Sequence, residues 1–194
     1  MKKLIRLLPI MGLLFSATNA NAGLIDVKEI VITNSIPTYL QVSEVVATEA
    51  GTGNDLALAS AGATASGNGD WPGSSPNFAI DGVAPNSFPN IFHSDSPSAA
   101  EFLSIVLANV SELDSLTLYG RSDCCNSRDI FNVSIFNEAG GLLFSGTGFN
   151  ATNTSAGVTI ALPNTNTGVP EPGTLAIMGL GLAGLIFSRK RKTV

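Results

Sequence analysis

The sequence has one histidine, two cysteines that are adjacent (Cys124 and Cys125), one tryptophan and two tyrosines in 194 residues. A structural zinc site takes four Cys or His ligands, so that class is excluded. Basic residues are scarce where they would matter. Seven of the ten are Lys2, Lys3, Arg6, Arg189, Lys190, Arg191 and Lys192, at the two ends. Between residues 23 and 168 only Lys28, Arg121 and Arg128 stand against fourteen acids, a net charge of −11. Without clustered Lys and Arg to neutralise phosphates, no nucleic acid is expected as a partner. No Ser-His-Asp or Cys-His arrangement has support beyond the lone His93, and no local motif points to a working carboxylate pair. The chain is therefore not expected to be an enzyme.

Long apolar runs occur only near the termini. Met1 to Arg6 is basic, Leu7 to Ala17 is apolar, and Ala20-Asn21-Ala22 is a small-x-small site. This order predicts a signal peptide over 1–22, with a signal helix, cleavage before Gly23 and export; an uncleaved anchor is the alternative. At the other end Val169-Pro170-Glu171-Pro172-Gly173 precedes a 13-residue apolar run, Leu175 to Phe187, and a basic tail. That run is short for a membrane span of ~20 residues. Proline-glutamate-proline, short apolar helix and basic terminus together resemble the PEP-CTERM sorting signal. The resemblance implies a Gram-negative exporter, a transient stay in the inner membrane, and an exosortase that cuts near Pro170, Glu171 and Pro172. The mature protein would then sit in the cell envelope, on the outer surface or in the extracellular matrix.

Between the ends the apolar pattern has period two, and no stretch carries a convincing helical stripe. Strands are expected over Val27–Thr33, Leu40–Thr48, Glu101–Leu107, Ser115–Tyr119, Phe131–Phe136 and Gly141–Ser145, with a last one near 157–162. Several short strands separated by turn residues predict an all-β antiparallel β-sandwich over 23–162. A linker with the Pro-Glu-Pro motif (163–173) and the C-terminal sorting helix with its basic tail (174–194) follow. Gly62 to Ser98 reads as one long irregular segment holding the only Trp and the only His. Long ordered loops on such a scaffold are where function concentrates.

Arg121-Ser-Asp123-Cys124-Cys125-Asn-Ser-Arg128-Asp129 places two of the three central bases within eight residues. Asp123 and Asp129 can each accept a forked pair of hydrogen bonds and lock a guanidinium plane. A Cys124–Cys125 bond would close a strained eight-membered ring that staples no loop but makes a stiff apolar knob. Two reduced thiols or an intermolecular bridge are the alternatives.

Arg121-x-Asp123-Cys124-Cys125-x-x-Arg128, preceded by His93, resembles the fucose-recognition signature of the F-type lectins (fucolectins). There a His stands 26 residues ahead of Arg-x-Asp-x4-Arg/Lys; here 27 residues intervene. The resemblance implies that His93, Arg121 and Arg128 hydrogen-bond L-fucose, that Asp123 orients the arginines, and that the Cys124–Cys125 disulfide packs on the sugar ring. Residues 54–65 and Phe78-Ala-Ile-Asp81-Gly82 are similar to the opening of the wider discoidin-like, galactose-binding-like jelly roll. Val27–Thr33 and residues 39–46 resemble its closing strands, which here come first, as in a circular permutation joined near 50–55. By position the resemblance also implies a structural Ca2+ held by the Asp81 and Glu44 carboxylates and the Val83, Phe78 and Ser43 carbonyls. An Asp-Gly pair is equally an ordinary turn. The expectation is an exported fucose-type lectin whose partner is a glycan or extracellular polysaccharide. The alternative is a structural envelope or biofilm-matrix protein that binds no free sugar.

Overall fold

The computed structural model describes residues 23–152 and 155–165, so the expected signal, linker and sorting segments lie outside the described residues. What it describes is antiparallel β structure joined by turns and three short 3-10 helices. The strands are β1 (Leu24–Asn34), β2 (Gln41–Val42), β3 (Glu44–Glu49), β4 (Thr64–Gly67), β5 (Phe92–His93), β6 (Phe102–Tyr119), β7 (Ile130–Phe136), β8 (Leu142–Asn150) and β9 (Val158–Ala161).

The two strands expected at 101–107 and 115–119 are one 18-residue strand, β6. Its first half lies between β1 and β4, and its second half between β3 and β9. β7 and β8 extend the sheet beyond β1. Alternation sets which side chains turn inward. Leu103, Ile105 and Leu107 are buried while Val106 is exposed, and Phe131, Val133 and Ile135 are buried on β7. They join Ile30 and Ile32 of β1, Val45 and Ala47 of β3, and Leu116 and Leu118 of the far half of β6 in a single core.

Two features bear on the expected permutation. The connection from β3 to the next segment is a tight turn: Gly51 and Gly53 have positive φ, and the Glu49 N–H donates to the Asn54 carbonyl. The first and last described residues also meet, the Thr165 N–H donating to the Gly23 carbonyl at 3.3 Å. Close termini are the geometry in which a chain can be reconnected without rebuilding its core.

Gly62 to Ser98, expected to be irregular, contributes three ordered pieces. These are β4, a 3-10 helix over Pro76–Ile80 capped by the Ser75 hydroxyl, and β5. β5 is the piece that matters for the site. It pairs with β2, setting Gln41 opposite His93 and Val42 opposite Phe92. Two residues of strand carry too little periodicity to be read from sequence, and their pairing depends on a partner some fifty positions away.

Phe131 is among the largest fully buried side chains. Phe131→Ala is expected to lower unfolding free energy by about 3–5 kcal/mol, the cost of a large buried cavity, as measured by urea denaturation. A change below ~1 kcal/mol would contradict its place in the core.

Candidate functional site

His93, Arg121, Arg128, Tyr39, Trp71 and Phe88 line one open cavity of about 230 Å3. The residues come from five separate stretches of chain, so backbone contacts decide whether they converge. The His93 N–H donates to the Ser74 hydroxyl at 2.7 Å, and that hydroxyl donates to the Ile91 carbonyl at 2.6 Å. The Trp71 N–H donates to the His93 carbonyl at 2.8 Å, laying the indole beside the imidazole. The ring centroids of Trp71 and Tyr39 stand 5.6 and 5.1 Å from that of His93, and Phe88 meets it edge-on at 5.9 Å. His93 thus joins this group although 27 residues separate it from Arg121.

The protonation of His93 follows from its partners. Its Nδ1 lies 2.8 Å from the Ser94 carbonyl, which can only accept, so Nδ1 carries the proton and Nε2 presents a lone pair. Burial, reinforced by the charges of Arg121 and Arg128, holds its pKa below the ordinary 6.5. The imidazole is therefore a neutral acceptor near pH 7.

The two arginines are held differently. Arg121 donates through Nε to Asp123 Oδ1 at 2.6 Å and through Nη2 to Oδ2 at 2.9 Å, the expected fork. Those hydrogen bonds hold the Asp123 carboxyl down to about 2. Asp123 is exposed, so the pair adds little stability. Its effect is orientation, since the fork fixes the guanidinium plane and leaves Nη1 uncommitted. The guanidinium also lies 5.4 Å from the Phe88 ring centroid. The Arg128 guanidinium has no hydrogen bond or ion pair among the described residues and rests 5.6 Å from the Tyr39 ring centroid. An aromatic face can hold a guanidinium by its quadrupole while leaving the N–H donors free.

Asp129 departs from its expected role. Its Oδ2 accepts the Arg121 backbone N–H at 2.8 Å and forks to no guanidinium, while Oδ1 is buried without a partner. The carboxylate packs against Gly120, where a Cβ would collide with it. It therefore fixes the backbone from which Arg121 projects. Cys124 and Cys125 are exposed thiols with sulfurs 2.8 Å apart, beyond the ~2.05 Å of a covalent bond. They follow Asp123, the partner of Arg121, directly in the chain and are not among the residues that line the cavity.

Of the residues expected to hold calcium, Ser43 and Glu44 stand where β2 passes into β3, and Phe78, Asp81 and Val83 precede Phe88 in the chain. Glu44 is 1% exposed; its Oε2 accepts the Gly82 N–H at 3.1 Å, and Oε1 is buried without a partner. Burial pushes its carboxyl up to about 8, against the Gly82 N–H, with the nearby Asp81 and Asp55 adding to the rise. Asp81 Oδ1 accepts the Val83 N–H at 2.9 Å. Ser43 is buried, Val83 is exposed, and Phe78 lies in the Pro76–Ile80 3-10 helix. Among the described residues no three His, Cys, Asp or Glu side chains gather as a metal site. Two carboxylates with backbone carbonyls fit a hard cation, which accepts such mixtures. The orphaned buried oxygen of Glu44 is the observation in favour.

Tyr39, Trp71 and Phe88 were not singled out as site residues. The available signal was scarcity: the only Trp and one of two Tyr stand just before short segments that carry the site. Amphipathic rings are the aromatics suited to a wet, half-apolar cavity.

The folded pKa of Asp129 rises to about 7 from the ordinary 3.8, chiefly through burial. Folding then takes up a proton, so this group's contribution is full below the lower value and is lost as pH rises through the upper one. Wild-type stability relative to Asp129→Asn should therefore fall between about pH 4 and about pH 7 in denaturant titrations. A difference independent of pH would show that the carboxyl titrates as in the unfolded chain.

No curated protein and no solved structure matches the chain. Residues 168–192 match the PEP-CTERM protein-sorting motif. The chain thus carries a signal read by an exosortase during sorting to the cell envelope or exterior of a bacterium.

Proposed function

We propose that this chain is an exported carbohydrate-binding protein of the fucose-type lectin kind, presented at the envelope or exterior of a Gram-negative bacterium. The observation that carries the reading is the convergence of a neutral imidazole acceptor, two guanidinium donors and three aromatic rings on one cavity. A sugar hydroxyl both donates and accepts, and a pyranose also has an apolar C–H face. Arg121 and Arg128 donate to hydroxyl and ring oxygens, His93 Nε2 accepts from a hydroxyl, and Tyr39, Trp71 and Phe88 cover the apolar face. Asp123 and Asp129 fix the side chain and the backbone of Arg121 respectively. No residue in the cavity serves as an activated nucleophile, so the role is binding.

On this reading the domain is a jelly roll of the galactose-binding-like type with its closing strands moved to the front. In the exported, oxidising setting Cys124 and Cys125 join in a vicinal disulfide beside Arg121. Ca2+ is held by the Glu44 and Asp81 carboxylates, with the Ser43, Phe78 and Val83 carbonyls completing its shell. The ion supplies positive charge that offsets two adjacent carboxylates, one of them buried.

Calorimetric titration of the chain with L-fucose tests the reading, with D-galactose as comparison. Arg121→Ala and Arg128→Ala should each weaken fucose binding about 10- to 150-fold, the equivalent of a charged hydrogen bond of ~1.5–3 kcal/mol. A folded protein that gives no heat with any simple sugar would turn the reading to a matrix-structural role. Separately, Ca2+ should raise Tm in wild type and leave Glu44→Gln unmoved; an equal rise in both would place the ion elsewhere.

A further inference from the structure

The stretch from Asp81 to Asn90 touches both the Glu44–Asp81 pair and the cavity, and it is pinned at each end. Gly82 and Val83 donate to the two carboxylates, as described above. The Asn86 N–H then donates to the Ser43 hydroxyl at 2.6 Å, beside Glu44 in the chain. The carbonyl of the same residue accepts both the Ser122 N–H at 3.0 Å and the Ser122 hydroxyl at 2.8 Å. Asn86 also forms a parallel bridge with Arg121. Its own side chain takes the Ser87 N–H at 2.9 Å, and Phe88 follows, with Arg121 over its ring. One residue is thus bonded on one side to the segment bearing Glu44 and on the other to the segment bearing Arg121.

We propose that this stretch couples the Glu44–Asp81 cation site to the glycan cavity, with Asn86 as the positioning residue, so that Ca2+ and sugar each strengthen the binding of the other. The inference rests on the functional reading above. The Gly82 and Val83 N–H groups tie the start of this stretch to the two side chains that would hold the cation. A divalent cation drawing those side chains and the nearby carbonyls together would favour the same backbone geometry. Asn86 passes the difference to Ser122 and Arg121, and the adjoining Phe88 passes it to His93. Because the contacts on both sides are hydrogen bonds to the backbone of one residue, only the φ and ψ of Asn86 lie between a shift at one end and the other.

Linkage requires the coupling to be the same in both directions. In the full chain, L-fucose affinity with Ca2+ should exceed that in chelator by about 5- to 150-fold, and fucose should raise Ca2+ affinity by the same factor. Ser122→Ala removes one of the two donors to the Asn86 carbonyl and should shrink that factor while leaving Ca2+ affinity without sugar unchanged. Trp71, the only tryptophan, lies in the cavity and gives a readout that needs no sugar. Ca2+ alone should shift its emission in wild type, and less so in Ser122→Ala. Should no sugar bind while that emission shift persists, the lectin reading fails and the coupling stands. Ca2+ binding by calorimetry with no change at Trp71, a fucose affinity indifferent to Ca2+, or no Ca2+ binding at all would each overturn the coupling.

Discussion

The hydrogen-bonded pairing of β6 with four other strands constrains everything else in this domain. The strand runs unbroken from Phe102 to Tyr119, with β1 and β4 flanking its beginning and β3 and β9 flanking its end. Its inward side chains therefore join both parts of the core, and its last residue opens into the segment that carries Gly120 and Arg121. A slip of one residue in this strand would exchange its buried and exposed faces, which burial of Leu103, Ile105, Leu113, Leu116 and Leu118 prevents. The position of Arg121 is thus inherited from the core.

Around that fixed point the cavity is assembled from parts that have little stability of their own. β2 and β5 are two residues each, and the 71–74 segment is held by the Ser74 hydroxyl and one backbone bond to His93. The electrostatics follow from the same placement. A neutral imidazole beside two guanidiniums, one forked to Asp123 and one resting on Tyr39, leaves Arg121 Nη1 and the Arg128 donors without an acceptor among the described residues. A cavity rich in uncommitted donors with one acceptor and an apolar wall suits a polyhydroxyl ligand better than a purely apolar or anionic one.

Much of the scaffold is legible because period-two alternation is a local property. Val27–Thr33 and Phe131–Phe136 lie within β1 and β7, and the segment near 157–162 contains β9, for that reason. The same logic fails for Ala108 to Asp114, where exposed residues interrupt the alternation and the pairing with β1 is irregular, so that no period-two signal marks the strand as continuous. It fails again inside 62–98, where β4 and β5 exist because β6 and β2 offer them edges. The fork between Arg121 and Asp123 was legible at a spacing of two residues. The bond from Asp129 to a backbone N–H was not, because it depends on the missing side chain at Gly120 and on burial.

What the sequence determined by itself is what depends on residue type and near spacing. It set the all-β character, the acidic central domain with three bases, the sorting motif at 168–192, and the short Arg-Asp-Cys-Cys-Arg segment. The tertiary structure alone decided that Tyr39, Trp71 and Phe88 join His93 and the arginines, and that Glu44 is buried against Asp81. It also decided that one backbone unit at Asn86 bridges the two places. Most of these rest on contacts between residues about 20 to 90 positions apart, and such contacts are fixed by which strands pair and by what the core can bury. No local pattern encodes them.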